Sequence, residues 1–497
     1  MDNQRSISHS IRRFAEGTMI SRIFGMLRDI SLAFFFGATV EIAAFMVAFR
    51  LASVFRRLFG EALVGSIFVP YFEEIRSQDS KKASYFYRDL SFSLLLFLSV
   101  LVSSVLCIGL FFSGEIVQYT MIMLVGLIFI CLTAVNSSYL QCEKRYFLPA
   151  ISPILFNVVT LIAICSIKER IGYFLSISVV IGFFMQWLLT QVKTSRLLKM
   201  SPREWFTPQF FPKEIRSLLK PFFLGVMGIG AVQINSALDA IFARFADPIG
   251  PSYLWYAIRL QQLPMALFAV SIAASILPPL ARAKDNKISF DGILSDALQK
   301  GAFLMTFCTF GIWALGAPSL NLLFGHGNFS SQSLLISSGC LKAYSLALIP
   351  SVFVFIFTQS LSARKNFLVP ATASVYAVLC NISLNAFFVF WMGMGIYSIA
   401  IATSISALFN AIILGIRFKK QFDKSFFLLF LKVVICGSIS TYLTLSTGKV
   451  FHPAGVFPRE LIAQGTEFII LSFVYFSSFY IQCRLFKIPN LFKGTSD

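Results

Sequence analysis

Eight charged residues stand in stretches otherwise apolar enough to lie in a membrane. SRIFGMLRD (21–29) carries Arg22, Arg28 and Asp29, residues 48–70 carry Arg50, Arg56, Arg57 and Glu61, and LWYAIRL (254–260) carries Arg259. A charge at mid-bilayer costs about 3 kcal/mol or more, so such residues face a polar cavity or one another. The six arginines exceed the acids of these regions, Asp29, Glu61 and Asp239. A surplus of buried cations calls for an anionic ligand. The planar guanidinium suits phosphate, which it binds through two parallel N–H···O bonds. The chemistry expected is capture of a phosphate-like anion within the membrane.

Helical geometry divides these residues. At about 100° per residue, Arg50, Arg57 and Glu61 fall on one stripe. Arg57 and Glu61, at i, i+4, can pair. This set is expected to form a secondary cavity or a structural pair, with Arg50 alternatively snorkelling to an interface. Arg56 points away from the stripe and has no local acid. Arg22 and Asp29, at i, i+7, share a face and are expected to offset one another. Arg28 points elsewhere, beside Ser21 and Gly25. Arg28, Arg56 and Arg259 are the expected ligand contacts.

A second constellation comprises Asn235 and Asp239, Asn381 and Asn385 (each pair at i, i+4), Thr403 and Ser404. One carboxylate with amide and hydroxyl oxygens suits a monovalent cation such as Na⁺ and is too weakly charged for a good Ca²⁺ site. The alternative is hydrogen bonding between helices.

The elements that must position these residues are membrane helices. Of 497 residues, 57% are hydrophobic and 13% charged, against about 25% charged in soluble domains. Runs such as 91–112 are long enough to cross a bilayer as helices and lack the alternation of a β-barrel strand. Fourteen spans are expected, at 15–36, 43–72, 86–112, 116–140, 147–167, 172–192, 218–243, 252–281, 297–324, 332–361, 367–391, 395–416, 426–446 and 463–484. Loops on the side of the termini hold twenty-eight Lys and Arg; the opposite loops hold five, Lys168, Arg170, Arg244, Lys449 and Arg459. This asymmetry places both ends in the cytoplasm. It also accounts for most of the net charge of +19 through basic loops facing an anionic leaflet, without nucleic acid. Residues 1–13 are polar and basic, so no cleavable signal is expected. The nine cysteines lie mostly in apolar runs and contain no CxxC; His9, His326 and His452 are scattered. Disulfide, zinc and Ser-His-Asp chemistry are therefore not expected.

The chain contains an internal repeat. At a constant offset of 209, Ala48, Arg50, Leu51, Ser66, Ile67 and Pro70 align with Ala257, Arg259, Leu260, Ser275, Ile276 and Pro279. The offset equates span 2 with span 8, running the same way. The expected organisation is an N-terminal six-helix lobe (1–192), a basic interfacial linker (193–217), a parallel six-helix lobe (218–418), and spans 13 and 14 with the tail (419–497). A duplicated helical core with a site at the repeat interface is a transporter design.

SRIFGMLRD, with FGA (36–38), AFRL (48–51), RRLFGEA (56–62) and FVP (68–70), resembles the MurJ/MviN family of lipid II flippases in the MOP exporter superfamily. LWYAIRL and ILPPLAR (276–282) resemble its span 8. The resemblance implies alternating access by two lobes, moving the undecaprenyl-pyrophosphate-linked peptidoglycan precursor from the inner to the outer leaflet. It implies substrate-binding arginines at Arg22, Arg28, Arg56 and Arg259, with Ser21 and Asp29 beside them. It implies a sodium site at Asp239, Asn381, Asn385 and Thr403, with a groove for the polyprenyl tail at spans 13 and 14. Two departures stand out: Ala43 replaces an acid at the opening of span 2, with Glu41 nearby, and Asn385 stands where the family pattern has an acid. The expectation is a non-enzymatic flippase of the cytoplasmic (inner) membrane, a monomer able to associate with membrane lipids and cell-wall synthesis proteins. It requires no cofactor, Na⁺ being the candidate coupling ion. The rivals are a polysaccharide-lipid flippase or drug/cation antiporter of the same superfamily, and a polyprenyl-phosphate enzyme. A drug-cation exporter calls for a cavity dominated by acids; an enzyme calls for more than GHGNFSSQS (325–333) and the His452 loop offer.

Overall fold

The computed structural model describes residues 2–61, 68–198, 200–451 and 457–488, with only the backbone of 2–13, 15, 61, 220, 221, 223–229, 231 and 232. Among residues singled out above, Ser66, Ile67 and His452 lie outside the described residues, as do the side chains of His9 and Glu61.

Among the described residues every regular element is a helix. The first unit contains α1 (Asp2–Phe36), α2 (Val40–Arg56), α3 (Val69–Gln78), α4 (Ser80–Gly109), α5 (Glu115–Cys142), α6 (Phe147–Ile151), α7 (Pro153–Ser166), α8 (Ile171–Leu198) and the short linker helices α9 (Pro202–Trp205) and α10 (Lys213–Arg216). Then α11 (Leu219–Ala246) leads into the second unit: α12 (Gly250–Pro264), α13 (Val270–Arg282), α14 (Lys287–Phe324), α15 (Ser331–Ser345), α16 (Leu348–Ala363), α17 (Leu368–Ala386), α18 (Tyr397–Gly415), α19 (Lys424–Phe451) and α20 (Leu461–Leu485). One compact unit comprises 1–35 and 39–240, the other 36–38 and 241–497. The division falls inside α11, beyond the linker at 193–217.

Eleven helices among the described residues are long and apolar enough to cross a membrane. They coincide with spans 3 to 6 and 8 to 14 of the expected fourteen. At the positions of spans 1, 2 and 7 lie α1, α2 and α11, which are not among the eleven. Their difference is physical for α1 and α2: the arginines and acids of interest interrupt the apolar run.

Span 2 is not the uninterrupted helix expected. Beyond Arg56 the backbone widens into a π-helical turn, Arg57–Glu61. Span 8 widens in the same way at Met265–Ala269, between α12 and α13. Arg57 to Met265 and Glu61 to Ala269 are each 208 residues apart, one short of the offset of 209 in the sequence repeat. The duplicated helices thus share a backbone irregularity as well as side chains. Span 10 is also broken, between α15 and α16. Pro350 lacks the N–H that would bond the Leu346 carbonyl, and its ring crowds that oxygen.

Short polar signals start the helices. The Thr39 hydroxyl accepts from Ile42 N–H at 3.4 Å to cap α2, and Asp79 accepts from Lys81 N–H at 2.8 Å to cap α4. Such caps satisfy amides that the helix leaves unpaired. Gly37 turns the chain from α1 to α2 at φ +64°, and a Cβ there would collide with the Asn328 carbonyl. Residues 36–38 belong to the second unit.

In lipid, helices associate through close backbone approach and polar contacts more than through hydrophobic burial. Gly182 on α8 shows the first: a Cβ would sit 2.9 Å from Phe156 Cα on α7. The second is an amide network in which Asn136 on α5 accepts from the Tyr87 hydroxyl on α4 and donates to Thr190 (3.2 Å) and Gln191 (3.1 Å) on α8. All nine cysteines are free thiols.

Candidate functional site

On α1, the ion pair is not the one that helical azimuth suggested. Arg28, not Arg22, pairs with Asp29: Nη2 and Nε donate to Oδ1 at 2.8 and 3.2 Å. The long guanidino chain folds back across the step of about 100° between consecutive residues. Arg22 is exposed and enters no ion pair among the described residues. Asp29 is buried, 3% exposed.

A residue of α7 completes the cluster. Arg28 Nη1 donates to Asn157 Oδ1 at 3.1 Å, and Asn157 Nδ2 donates to the Ser21 carbonyl at 3.2 Å. The guanidinium lies 5.2 Å from the centroid of Phe156. Asn157 thus ties two turns of α1 to α7 while orienting Arg28. Gly25, between those turns, faces Asn157, its Cβ position lying 3.7 Å from Nδ2. A guanidinium carries five N–H donors; the bonds to Asp29 and Asn157 employ three. Two N–H donors are not engaged by these partners, and Asp29 offsets the charge.

Elsewhere in the first unit, Arg50 Nη1 reaches the Ser236 carbonyl on α11 at 3.4 Å. Arg56 and Arg57, half-buried, stand where α2 passes into the π turn. The expected Arg57–Glu61 pair depends on a side chain outside the described residues. Ala43 is fully buried. Glu41 is committed locally: its carboxylate accepts from Gly172 N–H at 2.8 Å. An acid at a helix N-terminus is favoured by the helix dipole, here that of α8.

In the second unit, Arg259 is half-buried and its guanidinium stacks 4.4 Å from the ring centroid of Trp255, one turn earlier on α12. On α17, Asn381 and Asn385 are buried, and Asn385 Nδ2 donates to Asn381 Oδ1 at 3.0 Å. Thr403 donates to the Ile399 carbonyl at 2.9 Å, and Ser404 to the Ala343 carbonyl at 2.8 Å. Asp239, also buried, belongs to the first unit. No group of three or more His, Cys, Asp or Glu is arranged to hold a metal among the described residues.

Three features escaped the sequence reading. Asn157 had no visible partner, since its contacts lie on α1. The Trp255–Arg259 stack was readable from i, i+4 spacing. Glu467 and Gln464, both 1% exposed on α20, add an acid and an amide to a span read as apolar.

The linker is also built. Arg88 and Asp89, buried on α4, pair at 2.7 Å. Arg88 Nη1 donates to the Glu204 carbonyl at 2.7 Å, and Asp89 accepts from Gln209 N–H at 3.0 Å. The Glu204 carboxylate accepts from Ser201 N–H (3.0 Å) and the Tyr85 hydroxyl (2.8 Å), and pairs with Lys81 at 3.1 Å. These contacts, Ser201 N–H foremost, hold its pKa down to about 2.

A long helical chain with arginines built into its apolar helices, organised as two units that share a repeat, defines a multi-pass membrane transporter. The fold is like that of an inward-facing multidrug resistance MATE family transporter of the MOP superfamily, with TM-score 0.64 and 14% identity over 83% of this chain and 98% of that one. It is closer to a solved lipid II flippase MurJ in an inward closed conformation: TM-score 0.77, 26% identity, 95% and 98% covered. A Chlamydia trachomatis protein named as a probable lipid II flippase MurJ is 31% identical over 77% of this chain and 73% of its own length. The family model for lipid II flippase MurJ matches residues 32–463. The chain belongs to the MurJ family.

Proposed function

We propose that this protein flips lipid II, carrying the polyprenyl-pyrophosphate glycolipid from the inner to the outer leaflet of the cytoplasmic membrane. The family supplies the substrate. The observation that carries the binding mode is Arg28, held by Asp29 and Asn157 with two N–H donors left over. In this reading Arg28, Arg56 and Arg259 replace the water lost by the pyrophosphate with charge-assisted hydrogen bonds, while Arg22, exposed on α1, guides the anion inward. Ser21 contributes through its carbonyl, which anchors Asn157. The lipid tail stays in the bilayer or in a groove beside α19 and α20. Transport proceeds by alternating access of the two lobes, with both termini cytoplasmic and no covalent chemistry.

A pyrophosphate bound too tightly would not leave, so partial neutralisation of Arg28 by Asp29 serves release as well as folding. The test is single replacement of Arg28, Arg56 and Arg259 by Ala, with lipid II translocation measured in cells depleted of their own flippase. Loss of translocation at normal protein level is expected for each. Normal translocation in all three overturns the arginine mechanism; a new product from lipid II and purified protein overturns the non-enzymatic reading.

A further inference from the structure

A polar cavity and an apolar groove adjoin along α4 and the linker, both within the first unit. The cavity, about 520 Å³, has the size of a ligand site. It is lined by two cations, Lys82 and Arg88, two acids, Asp89 and Glu214, and the amides Gln78 and Gln209. The groove is shallow, about 80 Å³, and its walls include Leu90, Leu94, Phe97, Leu218 and Phe222. Its polar residue, Ser93, is committed to the fold, the hydroxyl accepting from Phe211 N–H at 3.0 Å. Cavity and groove meet between consecutive residues at three places: Asp89 and Leu90, Pro212 and Phe211, Glu214 and Ile215.

Asp89 is the last charged residue of α4, and from Leu90 to Gly109 the helix is uncharged. The step from cavity to groove therefore falls where this span leaves the headgroup region for hydrocarbon. The groove follows α4 for about 10 Å, from Leu90 to Phe97, and opens at Phe97 and Leu219, both exposed. What surrounds an apolar groove at that depth is acyl chain. The cavity is more selective. Arg88 and Asp89 are each 6% exposed. Arg88 engages Asp89 through Nε and Nη2 and the Glu204 carbonyl through Nη1. The bonds from Arg88 and from Gln209 N–H all fall on Asp89 Oδ1. Two cations and two acids cancel, so the cavity favours a ligand that is neutral as a whole yet carries both signs.

We propose that the cavity and groove bind one phosphatidylethanolamine molecule from the leaflet on the linker's side. Its phosphate lies at Lys82 and Arg88, its ammonium at Asp89 and Glu214, and one acyl chain in the groove. A choline headgroup has no N–H to donate to the two carboxylates, and an anionic glycerol headgroup has no cation for them. Phe97 and Phe222 of the groove pack on Phe59, at 5.7 and 6.1 Å between ring centroids. Phe59 belongs to the π turn that follows Arg56, so the chain of the bound lipid rests against residues that support that turn. The inference does not depend on which substrate is carried.

The test uses the purified full-length protein in detergent and needs no transport assay. Phosphatidylethanolamine, phosphatidylcholine and phosphatidylglycerol of identical chains are added singly, and native mass spectrometry counts the lipid retained. The wild type is expected to retain one phosphatidylethanolamine at concentrations where the other two are lost. The side chains of Lys82 and Glu214 are exposed and enter no hydrogen bond or ion pair among the described residues. The Lys82→Ala, Glu214→Ala double variant is therefore expected to fold normally and to bind phosphatidylethanolamine about tenfold or more weakly, as lost bonds to charged groups imply. Phosphatidylethanolamine with a photoreactive chain is expected to crosslink within 90–97 or 211–222. Equal retention of the three lipids, a preference for phosphatidylglycerol, or crosslinks confined to other helices overturns the proposal. Undiminished binding by the folded double variant overturns it too. Should that variant not fold, the order of the headgroups and the place of the crosslink in the wild type decide.

Discussion

Arg28 on α1 donates to Asn157 on α7, 129 residues further along the chain, at 3.1 Å. Asn157 also holds the Ser21 carbonyl, so one amide fixes both the direction of the guanidinium and the path of the helix that bears it. Replacing Asn157 with Ala removes both bonds and leaves the Arg28–Asp29 pair. Losing buried hydrogen bonds of this kind costs about 1–3 kcal/mol, while misplacing a binding group by about 1 Å can cost 10²-fold in rate. The expected outcome is a modest fall in thermal midpoint with a fall in lipid II translocation of tenfold or more. Arg28→Lys is expected to fail as well, because an ammonium cannot span Asp29 and Asn157 while keeping donors for a phosphate. Translocation measured at matched protein levels checks both.

The buried pair on α4 makes a different demand. Arg88 and Asp89 pair with one another and hold the linker at the Glu204 carbonyl and Gln209 N–H. Asp89→Ala strands Arg88 and frees Gln209. Removing one partner of a buried ion pair costs about 3–5 kcal/mol. The linker is expected to detach from α4 before the helices unfold, freeing the backbone around Arg203, Lys213 and Arg216, whose side chains are already exposed. Limited trypsin digestion reads this directly: cleavage within 203–216 should accelerate in Asp89→Ala relative to wild type.

Glu204 gives the same segment a pH dependence. Its carboxyl is lowered from an ordinary 4.5 to about 2 in the folded protein. A group depressed by folding contributes stability that is complete above its unfolded pKa and lost as pH falls through the folded one. Linker docking is therefore expected to hold above pH 4.5 and weaken toward pH 2. Trp205, which packs 6.3 Å from Tyr87 and 6.0 Å from Phe92 between ring centroids, reports docking by fluorescence with the other tryptophans replaced by Phe. Glu204→Gln should flatten the part of the transition lying between pH 4.5 and 2.

The helices with continuous apolar runs, such as α4 and α5, were legible because composition alone announces them. The organisation of the site was legible in its residue types and not in its geometry. Arg28 and Asp29 are neighbours in sequence, and azimuth separates them; only the reach of the side chain unites them. Asn157 sits in an apolar run where an amide reads equally well as a helix contact. The break after Arg56 carries no proline and no cluster of glycines, so no breaker marked it. The break before Pro350 has that proline as its mark, although the apolar run continues through it. By contrast, the repeat of Arg50 and Arg259 held to within one residue in the backbone, since a duplicated helix keeps its irregularities along with its side chains.

That shared irregularity can be tested alone. A π turn accommodates one extra residue in an α-helix, and such turns are frequent at functional sites. The turns at Arg57–Glu61 and Met265–Ala269 lie in the helices that carry Arg56 and Arg259. Deleting Leu267, which is 63% exposed, should convert the second turn to regular helix while leaving α13 in phase with its buried Ala273, Ile276 and Leu280. Deleting Ala257, buried in α12, should instead rotate the helix beyond it by about 100°. The first deletion is therefore expected to preserve the fold and the second to destroy it, as read by thermal unfolding. If the wide turn provides the local give that span 8 needs during transport, the Leu267 deletion will be folded yet impaired in lipid II translocation. Full translocation by that folded protein would show that the turn is inherited with the repeat and is not used.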